Sequence, residues 1–85
     1  MTWKIELTGP ARRDLRRLDR QVAARVVAAL QRLAETQRGD VIRLTSTEPE
    51  WRLRVGDWRV RFVYDFDRHV IRVERVLPRG RAYRD

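Results

Sequence analysis

Residues 51–66 read WRLRVGDWRVRFVYDF, and this stretch decides the fold. Apolar and polar residues alternate with period two on both sides of Gly56-Asp57, which is typical of two half-buried strands joined by a tight turn. A two-residue loop that begins with Gly favours a primed hairpin turn, because Gly adopts the positive φ that such turns need. The loop fixes the register of the pairs: Val55 with Trp58, Arg54 with Arg59, Leu53 with Val60, Arg52 with Arg61 and Trp51 with Phe62.

The two faces of this predicted hairpin differ in character. One face is apolar and is predicted to face the core: Trp51, Leu53, Val55, Trp58, Val60, Phe62, Tyr64 and Phe66. The other face gathers four guanidinium groups: Arg52, Arg54, Arg59 and Arg61. Like charges directly opposite each other across a strand pair are destabilising. This face therefore favours a surface that binds a polyanion, and the alternative is a solvated face of an arginine-rich protein.

The strand after the hairpin is predicted to return through a second tight turn. If residues 67–68 form a two-residue turn, Arg61 lies opposite Glu74 on the last strand. The carboxylate would then partly neutralise the arginine face and orient the guanidinium group of Arg61.

The segment before the hairpin predicts one strand and two helices. Residues 3–7 alternate apolar and charged side chains and indicate an edge-like first strand. Thr8 is a suitable N-cap, and Pro10 fits the first turn of a helix. Asp19 can cap a second helix over residues 21–36, whose apolar side chains recur on one side. With so short a connection, the two helices are predicted to form an antiparallel hairpin.

The remaining segments complete an α+β fold. Residues 41–44 and 69–77 predict two more strands, and residues 45–50 predict a polar loop between strands. The predicted order is an N-terminal strand, a helical hairpin, and then three to four antiparallel strands that form a sheet. At 85 residues, the chain is predicted to be a single domain over residues 1–85.

Composition limits the kinds of partner and site. The formal net charge of +8 favours nucleic acid, an acidic protein or an anionic membrane as partner. Cysteine is absent, which excludes disulfides and thiolate chemistry. His69 is the only histidine, so we expect no metal and no cofactor, and we interpret His69 as a turn or strand-end residue. No apolar run could span a bilayer, so the expected location is the cytoplasm, without a membrane partner.

Three parts of the chain together resemble the RelE/ParE superfamily of toxins from bacterial and archaeal type II toxin–antitoxin systems. They are the opening strand with ARRDLRRL at 11–18, the hairpin at 51–64, and VLPRGRAYR at 76–84. The resemblance implies a microbial-ribonuclease-like sheet, the RelE fold. For RelE-type members it also implies a metal-independent endoribonuclease that cleaves mRNA in the ribosomal A site, by attack of the ribose 2′-hydroxyl on the adjacent phosphate.

The resemblance implies roles for individual residues. Arg52 and Arg54 stand where RelE has two strand lysines, and Arg61 matches the catalytic arginine. Arg79, with Arg81 as the alternative, matches the basic residue of the tail, and Tyr83 matches the C-terminal tyrosine. The implied catalytic residues are Arg54, Arg61, Arg79 and Tyr83. The residues expected to bind RNA phosphates are Arg52, Arg59, Arg81 and Arg84, among which Arg59 matches no functional position of the family and is interpreted as a supporting charge. Lysines are replaced by arginines here, and Pro78 stands where relatives have a histidine, so no general base is assigned.

The resemblance also implies partners and leaves other functions open. The implied partners are a cognate acidic antitoxin, the ribosome and mRNA, with a toxin–antitoxin hetero-oligomer on operator DNA. ParE-type members share the fold but inhibit DNA gyrase, which is the second hypothesis. A catalytically weak member that binds RNA or antitoxin is the third. The presence of Arg61, Arg79 and Tyr83 favours the RelE-type function.

Overall fold

A computed structural model describes residues 2–44 and 49–81, with the backbone alone for Arg81. The elements are β1 (Lys4–Leu7), α1 (Gly9–Arg17), α2 (Arg20–Thr36), β2 (Val41–Leu44), β3 (Glu50–Val55), β4 (Trp58–Asp65), β5 (Val70–Pro78) and a 3₁₀ helix (Arg79–Arg81). The strands form one sheet in the order β1-β5-β4-β3-β2. β1 is parallel to β5 and the other pairs are antiparallel. The predicted α+β class is confirmed.

Both helices begin at side-chain caps that the sequence predicted. The hydroxyl oxygen of Thr8 accepts a hydrogen bond from the N–H of Ala11, and Pro10 lies in the first turn of α1. The carboxylate of Asp19 accepts from the N–H of Gln21 and caps α2. α1 packs mainly on β5, and α2 packs on β1 and β3. In the part of the chain that is described, neither helix is long and apolar enough to cross a membrane.

The β3–β4 hairpin has the predicted register, and all five predicted residue pairs are present. Gly56 has a φ of 58°, whereas Asp57 does not have a positive φ. A positive φ at only the first of two turn residues is the pattern of a type II′ turn. The sequence therefore predicted both the turn and the pairing of the strands that carry the arginines.

The apolar face of this hairpin supplies the centre of the core. Leu53, Val60 and Phe62 are at most 1% exposed, and they lie with Val26 and Leu33 of α2 in one buried cluster. The prediction for Phe66 was wrong, because this side chain is 74% exposed. β4 ends at Asp65, so Phe66 lies in the turn rather than on the strand face.

The turn between β4 and β5 is longer than predicted. Asp65 pairs with Val70, so residues 66–69 form a four-residue connection instead of a two-residue turn. His69 lies in this turn with a φ of 58°, which confirms its interpretation as a turn residue. The last strand consequently begins at Val70 and not at His69.

The predicted pairing of Arg61 with Glu74 was also wrong. A register shift between Arg61 and Phe62 places Arg75, rather than Glu74, opposite Arg61. Such a β-bulge sets an extra residue of one strand against the partner strand and changes every pair beyond it. The carboxylate that neutralises Arg61 therefore has to come from another element.

We expect Gly56→Ala to lower the free energy of unfolding by about 1–2 kcal/mol, because the left-handed conformation disfavours a Cβ atom. A Cβ atom at Gly56 would also lie 3.0 Å from Nη2 of Arg25. The measurement is the urea midpoint of unfolding. Gly80→Ala is the control, since a Cβ there meets no atom within 4 Å. Equal midpoints for the two variants would show that the turn does not need glycine.

Candidate nucleic-acid interface

Five arginines gather around the β3–β4 hairpin. Four are paired across the strands, Arg52 with Arg61 and Arg54 with Arg59, as predicted. Arg79 joins them because its N–H donates to the carbonyl oxygen of Asp57 at 2.8 Å, which fixes the start of the 3₁₀ helix beside the turn. We call Arg52, Arg54, Arg59, Arg61 and Arg79 the arginine cluster.

Arg59 is the innermost member of the arginine cluster and is only 7% exposed. Its Nη1 donates to the carbonyl oxygens of Gly56 at 2.8 Å and Trp58 at 3.0 Å. Its Nε is buried and has no hydrogen-bond partner among residues 2–44 and 49–81. A buried donor without an acceptor is costly, so the site gains if a ligand oxygen supplies one.

The charges around Arg59 also favour the binding of an anion. Burial, and then the positive charges of Arg52, Arg54 and Arg79, lower the pKa of Arg59, while the carboxylate of Asp40 opposes them. A lowered pKa means that the folded protein disfavours the charged guanidinium relative to water. An anion bound among these side chains would reverse that effect and would be held by charge-assisted hydrogen bonds.

Arg61 differs from Arg59 because the protein supplies its counterion. Nε and Nη2 of Arg61 donate to the two carboxylate oxygens of Glu50 at 2.8 and 3.0 Å. The two side chains are 14% and 17% exposed, so water screens this bidentate pair only partly. Glu50 is a site residue that the sequence analysis missed by placing it in a loop. It lies two residues before Arg52, so extending the period-two pattern by one step would have placed it on the arginine face.

We expect Glu50→Gln to lower the free energy of unfolding by about 2 kcal/mol, because it breaks the half-buried, charge-assisted pair between Glu50 and Arg61. The matched control is Glu6→Gln, which breaks the pair of Glu6 with Arg68. The side chains of Glu6 and Arg68 are both at least 42% exposed. Because solvent screens their charges, Glu6→Gln should lower the free energy of unfolding much less than Glu50→Gln does. Urea unfolding of the two variants measures the difference, and equal losses would contradict the structural role of Glu50.

The outer members of the arginine cluster are open to solvent. Arg54 lies 3.6 Å from Asp40, and both side chains are 57% exposed, so this pair contributes little to stability. Arg79 is exposed as well. These two side chains can therefore turn towards a ligand. Tyr83 and Arg84 lie outside the described residues, as does the side chain of Arg81, and their predicted roles stay predictions.

The arrangement suits binding of a phosphodiester. Within the described ranges, no three His, Asp or Glu side chains are grouped as metal ligands are. The cluster contacts two carboxylates in this part of the chain, Asp40 and Glu50, and each pairs with an arginine. Fixed guanidinium groups bind phosphate oxygens and stabilise the charge that develops at phosphorus.

Sequence comparison matches residues 5–83 to a family described as the ParE toxin of type II toxin–antitoxin system, parDE. No protein with a curated description matches the sequence significantly. The match runs from the second residue of β1 past the 3₁₀ helix, and therefore includes every member of the arginine cluster.

Solved structures of toxins share the fold. The archaeal RelE–RelB complex from Pyrococcus horikoshii OT3 contains a chain with a TM-score of 0.80 and 27% identity, covering 96% of this chain and 100% of that one. The toxin–antitoxin complex RelBE2 from Mycobacterium tuberculosis gives a TM-score of 0.80 and 25% identity, over 93% and 100%. The RelB–RelE complex from Methanococcus jannaschii gives a TM-score of 0.74 and 18% identity, covering 92% of this chain and 94% of that one. At this identity the similarity shows the fold alone.

Proposed function

We propose that this chain, which belongs to the RelE/ParE superfamily of toxins of type II toxin–antitoxin systems, is a ribosome-dependent endoribonuclease. It would inhibit translation in the cytoplasm by cleaving mRNA in the ribosomal A site. The observation that supports this proposal is Arg59, whose buried Nε lacks an acceptor among the described residues, while burial and three other arginines lower its pKa. A phosphate oxygen of RNA would accept from Nε and offset that repulsion.

In the proposed reaction, the ribose 2′-oxygen attacks the adjacent phosphorus. The P–O2′ bond forms as the P–O5′ bond breaks, and one proton passes overall from the 2′-hydroxyl to the leaving 5′-oxygen. Negative charge builds up on the phosphoryl oxygens during this step. Arg59 would bind these oxygens from within the sheet, while Arg54 and Arg79 would bind them from its exposed rim. Donors that are fixed before the reaction stabilise such charge most effectively, so the proposed mechanism needs no metal.

The other predicted residues complete the proposal. Glu50 holds Arg61 in one orientation, so we assign Arg61 a fixed positive charge beside the scissile phosphate, and Arg52 a place on the RNA backbone. Arginine keeps its proton at neutral pH and is therefore a poor general base. Tyr83 would orient or stack on the nucleotide at the cut. Arg81 and Arg84 would contact RNA next to it.

The antitoxin is the second partner in this proposal. The similar toxins are described in complexes with RelB antitoxin. A net charge of +8 favours a cognate antitoxin with an acidic segment, and we propose that this segment covers the arginine cluster. Cleavage would then be blocked while the antitoxin is bound, and the hetero-oligomer would bind operator DNA.

Primer extension tests the proposed function. The purified toxin is added to a translation extract, and the mRNA is mapped with and without ribosomes stalled at a defined codon. We expect new 5′ ends within the A-site codon, only when ribosomes are present. Intact mRNA in every reaction, with a toxin whose induction in cells arrests growth, would refute the endoribonuclease proposal.

Inhibition of DNA gyrase is the second candidate, because the matching family carries the name of the ParE toxins. This activity needs binding to a protein and no phosphodiester chemistry by the toxin. Induction would then cause gyrase-linked DNA breaks and an SOS response while mRNA stays intact. The same induced culture can be analysed for both products, so the two candidates are separated in one experiment.

A further inference from the structure

A small groove lies between the end of α1 and the end of β5. Its volume is about 200 Å³. This is below the ~300–1,000 Å³ of pockets that take drug-sized ligands, so it has room for one planar group. Its walls include Arg17, Leu18, Trp58, Arg75, Leu77 and Pro78.

The groove lies where α1, instead of β1, borders β5 at the edge of the sheet. β1 pairs with β5 only as far as Val73. Further along this strand, the carboxylate of Asp14 on α1 accepts from the N–H of Val76 at 2.9 Å and from Nε of Arg75 at 2.8 Å. These bonds hold α1 against β5, so the groove is formed before any ligand arrives.

Trp58 gives the groove an aromatic wall. The rings of Trp3 and Trp51 both contact other aromatic rings, whereas the half-buried indole of Trp58 contacts none within residues 2–44 and 49–81. Stacking of a base on an aromatic side chain contributes about 1–3 kcal/mol and tolerates any base. A nucleobase therefore matches this wall in shape and chemistry.

Arg17 gives the groove an available positive charge. Arg75 is paired with Asp14, but Arg17 is exposed and forms no ion pair in the described part of the chain. Trp58 and Arg59 face opposite sides of β4. The groove therefore meets the arginine cluster at the end of the sheet, where Trp58 pairs with Pro78 and Arg79 follows. A strand of RNA that leaves the cluster past Arg79 can enter the groove.

We propose that this groove binds one nucleotide of single-stranded RNA beside the scissile phosphate, with the base on Trp58 and a phosphate on Arg17. The inference rests on the proposed function, because the arginine cluster brings the RNA to the groove. It names a second part of the substrate site that neither composition nor the match to the family indicates.

Binding of a short single-stranded oligoribonucleotide to the purified chain tests the role of Arg17. For single strands, the logarithm of the binding constant decreases linearly with the logarithm of the salt concentration. The slope becomes less negative by about 0.7 for each phosphate contact that is lost. We expect this loss in Arg17→Ala and a smaller change in Arg16→Ala. Arg16 is the matched control, because it is also exposed in the last turn of α1 but does not line the groove.

The outcomes separate the groove from the function. If the wild type binds RNA and both variants change its slope equally, the groove does not hold a phosphate and the inference is wrong, while the proposed function stands. If the wild type shows no salt-dependent binding of RNA, the inference is wrong as well, whereas the proposed function is decided by primer extension on ribosomes. If Arg17→Ala weakens binding of polyglutamate but not of RNA, the groove takes an acidic chain and the inference is overturned.

Photocrosslinking tests the role of Trp58 without a substitution that could disturb folding. RNA that carries 5-iodouridine is irradiated with the toxin, and the digest is analysed by mass spectrometry. Trypsin releases residues 55–59, in which Trp58 is the only aromatic residue. We expect the crosslink on this peptide. Crosslinks only on peptides with Trp3 or Phe66, which lie together in another aromatic group, would contradict the proposed groove.

Discussion

Arg59→Met is expected to slow mRNA cleavage by at least about 100-fold, the loss typical when one fixed donor to a developing oxyanion is removed. The same variant should keep its urea midpoint. Arg59 is 7% exposed and lies among like charges, and replacing a buried charge by an apolar side chain of similar volume is often neutral or stabilising. The two hydrogen bonds to carbonyl oxygens are lost, but so are the repulsion and the desolvation of the charge.

The rate is measured as single-turnover cleavage on stalled ribosomes, and stability is measured by urea unfolding. Arg32→Met is the control, because Arg32 is exposed on α2, away from the arginine cluster. This change removes the same charge and should leave both quantities nearly unchanged. Undiminished cleavage by Arg59→Met would show that Arg59 does not bind the scissile phosphate. A variant that unfolds would show that Arg59 stabilises the hairpin instead.

Arg59 and Arg61 lie on the same face of β4 but differ in how their positive charges are neutralised. Both point to the same side of β4, since they are two residues apart. Glu50 neutralises Arg61 from β3, so its position does not depend on a ligand. Arg59 faces Arg54 and has no carboxylate partner in the described residues. A ligand anion therefore gains most at Arg59, and the structure shifts attention to a residue that the sequence had only assigned to phosphate binding.

The hairpin could be predicted from the sequence because its determinants are local. Period-two alternation decides which residues share a face, and Gly56 fixes the turn and hence the register. The arginine face follows from these two features alone. The cap residues Thr8 and Asp19 are local signals as well, and both form the expected hydrogen bonds.

The features that were missed depend on contacts between distant elements. The bulge beside Arg61 reflects how β4 and β5 fit together, and no residue pattern within either strand shows it. The position of Arg79 near Arg59 depends on a hydrogen bond from the N–H of Arg79 to the carbonyl oxygen of Asp57, which joins two distant elements. The pair of Asp14 with Arg75 joins residues 61 positions apart. Sequence periodicity carries no information about such pairs.

Asp14→Ala is expected to cause the largest loss of stability, about 3 kcal/mol, because it breaks the ion pair with Arg75 and leaves the buried N–H of Val76 without its acceptor. The carboxylate of Asp14 is 7% exposed and accepts from Arg75 and from the N–H of Val76. We place the value at the low end because Arg75 is 33% exposed. Urea unfolding measures the loss, and Asp19→Ala is the control, an exposed cap that should lose only about 1 kcal/mol.

The contribution of Asp14 should also depend on pH, with a sign that the structure determines. Burial alone would raise the pKa of Asp14, but hydrogen bonds from Arg75 and Val76, with the charges of Arg75 and Arg17, lower it overall. A carboxyl group with a lower pKa in the folded state stabilises the protein above its unfolded pKa, and this stabilisation is lost as the pH falls through the folded pKa. Urea unfolding of wild type and Asp14→Ala should therefore differ most near neutral pH, and the difference should narrow below about pH 4. A difference that stays constant with pH would assign the loss to packing and not to the charge of Asp14.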